Sequence, residues 1–261
     1  MSDELLLTEK ERLNKVTSIL VSQPEPNDEN NPYAKLAEKY NLKIDFRKFI
    51  GIDPVDIREF RKQKINILDH SAIILTSRNA VDHFFRLAAE SKVEIPTDMK
   101  YFCISEQTAN YLQKYIVIRK RKIFTGERTA QDLLEVIKKH KNEKYLFPCS
   151  NIRKDDIPNF LSENGYDYNE AIIYKTVAAD LSDLSEITYD VIAFFSPSGI
   201  GSLFDNFPDF KQNKTRIAAF GPTTAKAVKD AGLILDIQAP LPSAPSMTGA
   251  LELYIKKANN L

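Results

Sequence analysis

The feature that most constrains the fold is a strand-to-helix pattern that occurs four times along the sequence, in two pairs. Each apolar run ends at a small residue, and a helical pattern follows; the four small residues are Ser77, Ser105, Ser196 and Gly221. The spacing within the two pairs is nearly equal, which indicates two similar lobes. Hydroxyls and free backbone N–H groups at helix N-termini suit anions, so the pattern favours a cleft for a small polyanion.

Between these motifs, strand-like and helix-like segments alternate, which is typical of parallel sheets in an α/β protein. We predict two α/β lobes with parallel sheets, joined by a two-stranded β connection, with a cleft between them. The predicted first lobe is discontinuous, residues 1–46 and 179–261, and the second, residues 47–178, is inserted into it. In detail, residues 42–52 read as one strand and residues 53–64 as a helix that starts near Pro54.

Composition excludes several classes of function. Lysine plus arginine and aspartate plus glutamate both number 36, which argues against non-specific binding to nucleic acid or membranes. The charged N-terminal segment, residues 1–16, lacks the apolar stretch of a signal peptide, and no apolar run could span a membrane, so a cytoplasmic location is expected. We predict that Cys103 and Cys149 are buried free thiols. The three histidines have no ligand spacing, and no nucleotide-binding loop is present, so neither a metal site nor a cofactor is predicted.

Five motifs, in order and at the right spacing, resemble those of the uroporphyrinogen-III synthase family. They are LTSRNAV at 75–81, LFPCSN at 146–151, AIIYKTV at 171–177, FFSPSG at 194–199 and AFGPTTAKA at 219–227. The resemblance runs from about Ile19 to Ile255 and implies two α/β lobes with an open cleft. It also implies an enzyme, a lyase that cyclises hydroxymethylbilane to uroporphyrinogen III, with loss of water and inversion of the last pyrrole ring.

The resemblance further implies which residues act. Tyr174 matches the family's active-site tyrosine and is the predicted proton donor for the departing hydroxyl. The residues predicted to bind the substrate are Ser77, Asn79, Thr108, Ser196, Ser198, Thr223 and Thr224. The reaction needs no metal or other cofactor, because the electron-rich pyrrole itself expels the hydroxyl. We expect a monomer that makes transient contact with hydroxymethylbilane synthase.

Two alternatives stay open at this point. Each serine or threonine in the predicted site could serve as a helix cap, alone or in addition to binding. The whole chain could instead be a catalytically silent, two-lobed regulatory protein that binds a small anion. The sequence also departs from the family pattern, with Ser105 where a glycine is usual and Gln23 where many bacterial members carry arginine.

Overall fold

The computed structural model describes residues 12–26, 30–117, 120–127, 129–185 and 187–261, so the first eleven residues of the charged N-terminal segment lie outside it. The described strands are β1 (Ser18–Val21), β2 (Lys43–Phe46), β3 (Ile50–Pro54), β4 (Ala72–Leu75), β5 (Lys100–Cys103), β6 (Ile123–Thr125), β7 (Lys144–Ser150), β8 (Asp167–Ala178), β9 (Val191–Phe194), β10 (Arg216–Phe220) and β11 (Leu235–Ala239). The described α-helices are α1 (Pro32–Tyr40), α2 (Ile57–Lys62), α3 (Arg78–Glu90), α4 (Glu106–Tyr111), α5 (Ala130–Ile137), α6 (Asp156–Glu163), α7 (Pro197–Asn206), α8 (Pro222–Asp230) and α9 (Met247–Ala258).

The strands form two sheets. Sheet A has the order β11-β10-β9-β1-β2 and sheet B the order β3-β8-β7-β4-β5-β6. The paired strands of sheet A are parallel, as are those of sheet B from β8 to β6. Strand β3 is antiparallel to β8, since the N–H of Ala179 donates to the carbonyl of Phe49 and the N–H of Val55 to that of Ile173. The predicted two-sheet α/β fold is confirmed, with β3 as the antiparallel exception.

The chain divides into two compact units. Unit 1 contains the residues up to Gly51 together with Val177–Leu261, and unit 2 is Ile52–Thr176. Unit 1 holds sheet A, and unit 2 holds most of sheet B. The predicted lobe boundaries after residues 46 and 178 stay predictions.

Side chains of each sheet alternate between two helical layers. In β1, Ile19 and Val21 pack with helices α1 and α9, whereas Leu20 packs with α7 and α8. In β4, Ile73 and Leu75 pack with α3, whereas Ala72 and Ile74 pack with α5 and α6. Because consecutive side chains of a strand point to opposite faces, apolar runs such as these are required when helices cover both faces.

Two local predictions were wrong. The single strand predicted at 42–52 is broken into β2 and β3, which belong to different sheets. Between them Phe49 is almost fully buried and packs edge-to-face on Phe194, at 5.6 Å between ring centroids, which anchors the break in unit 1. The helix predicted at 53–64 starts only at Ile57, because Pro54 still belongs to β3 and Asp56 accepts the N–H groups of Arg58 and Glu59 as the cap.

Candidate functional site

A pocket lies where the chain reverses its direction of travel across sheet B. From β4 the chain proceeds to β5 and β6 on one side, then returns to β7 and β8 on the other. The loops that follow β4 and β7 therefore diverge, and in parallel sheets this is where ligands bind. The pocket has a volume of about 190 Å³, and its polar lining consists of Thr76, Ser77, Ser150, Arg153, Lys154, Asp156 and Tyr174.

Tyr174, the predicted proton donor, lies on β8 with its side chain in this pocket. The residue is only 8% exposed. Its hydroxyl is 3.4 Å from Oγ of Ser77, and its ring stacks on that of His83 at 5.2 Å between centroids. Burial raises the pKa of Tyr174, and the hydrogen bond with Ser77 opposes this rise. The phenol is therefore protonated at neutral pH and can donate a hydrogen bond or a proton.

Ser77 has two roles that its position explains. Strand β4 ends at Leu75, and Ser77 is the N-cap of α3, where its Oγ accepts the N–H of Ala80 at 3.0 Å. The same oxygen faces Tyr174. Ser77 therefore caps α3 and also contacts Tyr174 in the pocket. Asn79, on the first turn of α3, is exposed and forms no side-chain hydrogen bond to another described residue.

Thr108 is held within its own turn. The N-cap of the short helix α4 is Ser105, whose Oγ accepts the N–H of Thr108 at 3.4 Å and lies 3.3 Å from the threonine Oγ1. Thr108 is buried and does not line the pocket that contains Tyr174. The serine that replaces the family's glycine therefore adds a side-chain cap to the turn.

A polar network near Tyr174 was missed by sequence reasoning. Oγ of Ser150 lies 3.0 Å from Oγ1 of Thr176, and the N–H of Thr176 donates to Oδ1 of Asn151 at 2.8 Å. The N–H of Asn151 in turn donates to the carbonyl of Tyr174. The network fixes the ends of β7 and β8 against each other, and so fixes the backbone that carries Tyr174. The signal in the sequence was the polar run that follows the buried strand at 144–150.

Two cations also line the pocket and were not predicted. Arg153 forms ion pairs with Glu170 and Asp155, so its charge is largely compensated. Lys154 is exposed and forms no ion pair with any residue that the structure describes. A lysine with no carboxylate partner beside a phenol and a serine hydroxyl can attract an anionic group.

The corresponding edge of sheet A carries the other four predicted residues. Ser196 caps α7, since its Oγ accepts the N–H of Gly199 at 3.3 Å, and Ser198 is partly exposed in the first turn. Helix α8 starts differently, at Gly221, whose φ of 85° suits glycine and whose side chain cannot cap.

Neither threonine of the GPTT turn is the cap of α8, contrary to the capping alternative. Thr223 is exposed and Thr224 is 1% exposed, and both follow the cap residue in the first turn. Pro222 has no N–H, and the N–H groups of Thr223 and Thr224 have no side-chain acceptor at the cap position, which leaves these two available to an anion.

Within the described part of the chain, no cluster of three histidine, cysteine or acidic residues is placed to hold a metal ion. None of the described helices is long and apolar enough to cross a membrane. Cys103 and Cys149 are buried and free, as predicted, and burial raises their pKa to about 12 and about 11 respectively.

Comparison with known proteins gives a consistent result. Residues 31–249 match the family model described as uroporphyrinogen-III synthase HemD. The uroporphyrinogen-III synthase of Saccharomyces cerevisiae is 27% identical over 211 residues, which cover 70% of this chain and 75% of the yeast protein. That of Chlorobaculum parvum is 23% identical over 260 residues, 92% of this chain and 99% of its own.

Solved structures share the fold. The uroporphyrinogen-III synthetase of Helicobacter pylori aligns with a TM-score of 0.59 at 17% identity, over 92% of this chain and 99% of its own. A mutant uroporphyrinogen III synthase of Thermus thermophilus aligns with a TM-score of 0.56 at 14% identity, over 94% of this chain and 100% of its own. The regulatory alternative is not favoured, and the family match covers most of the chain. The resemblance seen in the five motifs is confirmed: this chain belongs to the uroporphyrinogen-III synthase family, lyases of haem biosynthesis.

Proposed function

We propose that Tyr174 donates the proton with which the hydroxyl of hydroxymethylbilane leaves as water. The observation that carries this proposal is the placement of the tyrosine hydroxyl, 3.4 Å from Ser77 and in one pocket with Lys154. The family acts on hydroxymethylbilane, whose electron-rich pyrrole expels the hydroxyl and leaves an azafulvene cation. A donor beside the leaving oxygen is therefore the main chemical assistance that the protein has to supply.

The burial of Tyr174 limits how much it contributes. Because its pKa lies above the ordinary value of a phenol, it is a weak acid, but it is fully protonated at neutral pH. It assists the departure of water through a hydrogen bond that strengthens as negative charge develops on the leaving oxygen. Removing the hydroxyl should therefore slow the reaction without abolishing it.

We further propose that the carboxyl ends of both sheets bind the acetate and propionate groups of the substrate. In unit 2, Lys154 and the hydroxyl of Ser77 are the groups best placed in the pocket. In unit 1, the proposed groups are the hydroxyls of Ser196, Ser198, Thr223 and Thr224. The backbone N–H groups of the last three are proposed to take part as well, since the first residues of α7 and α8 are prolines and have no N–H. Asn79 and Thr108 stay predicted contacts, with no observation in the Tyr174 pocket that supports them.

Binding of the carboxylates has a chemical purpose beyond affinity. The free substrate closes by direct attack of one end on the other, which gives the symmetric type I isomer. The type III isomer requires attack at the substituted carbon of the last ring, through a strained spiro intermediate. Only a protein that fixes the substrate arms can favour this path, so positioning is the larger part of the proposed catalysis.

The decisive experiment is incubation of the purified protein with freshly made hydroxymethylbilane and a chelator, followed by oxidation and chromatographic separation of the isomers. We expect mainly type III product. The control is the same reaction with heat-denatured protein, which should match the protein-free mixture. An identical mixture with native protein would reject catalysis and favour the anion-binding regulator.

We also propose that the chain acts as a monomer in the cytoplasm and receives its unstable substrate through transient contact with hydroxymethylbilane synthase. Sedimentation at increasing concentration tests the monomer. Addition of excess synthase tests the transfer, because channelling would lower the type I by-product at a fixed rate of substrate supply.

A further inference from the structure

His83 is stacked on the proposed proton donor but has no part in the function described so far. It lies on α3, two turns after Ser77, and its ring is inclined by 25° to that of Tyr174 with 5.2 Å between the centroids. This distance lies in the range that aromatic pairs prefer. Tyr174 is therefore held at two points by one helix, at its hydroxyl by Ser77 and on its ring face by His83.

The contact between His83 and Tyr174 is made through the ring face. Nδ1 of His83 is buried and has no hydrogen-bond partner among the described residues. Burial lowers the pKa of His83 and the nearby charge of Arg86 lowers it further, outweighing the opposite effect of Asp82. The imidazole is thus neutral at neutral pH, and a neutral ring does not compete with Tyr174 as a proton donor.

Arg86 shows that this face of α3 also holds the backbone of β8. Its guanidinium donates to the carbonyl of Val55 at 2.8 Å and to that of Ile173 at 3.4 Å. With the backbone fixed beside Tyr174, the remaining freedom of the tyrosine is rotation of its side chain. The stacked imidazole opposes rotation about the Cα–Cβ bond of Tyr174, which would move the hydroxyl out of the pocket.

We propose that His83 is a positioning residue, which holds the side chain of Tyr174 in the rotamer that places its hydroxyl in the substrate pocket. The inference rests on the proposed role of Tyr174 and extends it to a residue that does not touch the substrate. Its effect is bounded by the contribution of Tyr174 itself, so loss of the stacking ring should lower kcat by about three- to tenfold. KM should change by less than about twofold, because the binding groups are untouched.

The test compares His83→Ala, which removes the ring, with His83→Phe, which keeps a planar ring at the same position. We expect His83→Ala to lower kcat as stated and His83→Phe to restore most of the loss. A matched control is His140→Ala, which removes an imidazole packed on Phe124, at 4.2 Å between centroids, elsewhere in unit 2. This control should leave kcat unchanged. If His140→Ala lowered kcat as much as His83→Ala does, the effect would come from a general loosening of unit 2, and the inference would be wrong.

A double variant separates this inference from the proposed function. If His83 acts through the tyrosine hydroxyl, His83→Ala should have no further effect on kcat in a Tyr174→Phe background. A full additional loss in that background, a slow His83→Phe variant, or a His83→Ala variant with normal kcat would each overturn the inference. If Tyr174→Phe alone has normal kcat, the proposed role of Tyr174 is wrong. That result does not depend on any His83 variant, so the two failures can be told apart.

Discussion

The carboxyl ends of sheets A and B are built alike but carry different chemistry. In each sheet, two neighbouring strands are followed by helices whose cap is a serine or a glycine: Ser77 and Ser105 in sheet B, Ser196 and Gly221 in sheet A. At the edge of sheet B, the turn serine Ser77 faces a buried phenol, and an uncompensated lysine lines the same pocket. At the edge of sheet A, α7 is capped by Ser196. Helix α8 is preceded by Gly221, which gives the N–H groups of Thr223 and Thr224 no side-chain acceptor.

The difference shows how two sheet edges of the same architecture can serve different steps, anion binding at one and proton donation at the other. Backbone N–H groups at a helix start hold an anion but do not transfer a proton, whereas a phenol does both weakly. We therefore assign proton donation to unit 2 and mainly carboxylate binding to unit 1. Variants in unit 2 should lower kcat, and variants in unit 1 should raise KM.

The largest expected effect comes from Tyr174→Phe, which removes one hydroxyl and keeps the ring stacked on His83. We expect kcat to fall by about ten- to a hundredfold, the lower range of general acid assistance, with KM nearly unchanged. Initial rates of type III formation, measured by chromatography, give both constants. Unchanged turnover in a variant with a normal circular dichroism spectrum would remove the tyrosine from the mechanism and erase the proposed contrast between the units.

The next effect concerns Thr224→Val in unit 1, which keeps the side-chain volume. A hydrogen bond to a charged group contributes about 1.5–3 kcal/mol, and several groups share the binding, so we expect KM to rise by roughly tenfold. KM should also rise with added salt, because salt screens the attraction of the substrate carboxylates. Because valine fills the volume of the buried threonine and Gly221 is the cap, Tm should not fall. Early melting with normal KM would show a structural role only.

A smaller effect distinguishes two serines with the same capping role. Ser77→Ala and Ser196→Ala should each lower the free energy of unfolding by about 1 kcal/mol through loss of the cap. Only Ser77→Ala should also lower kcat, by about two- to fivefold, because only Ser77 contacts Tyr174. Urea unfolding and steady-state rates of both variants provide the measurement. Equal kinetic losses in the two variants would contradict the assignment of proton transfer to unit 2.

The smallest expected effect is a gain. Gly201 is exposed in the interior of α7, and a Cβ added there meets no atom within 4 Å. Gly201→Ala should therefore raise the free energy of unfolding by about 0.5–1 kcal/mol, with kcat and KM unchanged. Thermal unfolding with assays at one temperature tests this. A changed KM would show that the stability of α7, rather than its N-terminal groups, controls binding in unit 1.

The sequence predicts the α/β class because helix and strand periodicities differ and their alternation covers most of the chain. It fails between residues 42 and 52, where one β-rich run serves two sheets. Strand propensity does not record which sheet a residue joins, and the break is fixed by the burial of Phe49, a long-range contact. The start of α2 was misplaced because a proline can occupy the end of a strand as well as the first turn of a helix.

The candidate site could be predicted only in part from the sequence, for a similar reason. Ser77 and Tyr174 were predicted from motifs, but Lys154 and His83 become neighbours of the tyrosine only through the order β8-β7-β4. That order follows from the crossover of the chain after β6, which no local pattern encodes. Likewise, the sequence left a capping role open for the threonines of the GPTT turn, whereas the cap of α8 is Gly221, which precedes them.

The insertion of unit 2 into unit 1 has a consequence for the order in which the protein takes shape during synthesis. Strand β1 lies between β2 and β9, so one of its edges has no partner until residue 194 has left the ribosome. By then all of Ile52–Thr176 has been made and can complete its own hydrophobic core. Unit 2 can therefore fold before strand β1 has its second partner strand. Meanwhile β1 and β2 expose a strand edge of the kind that invites wrong pairing.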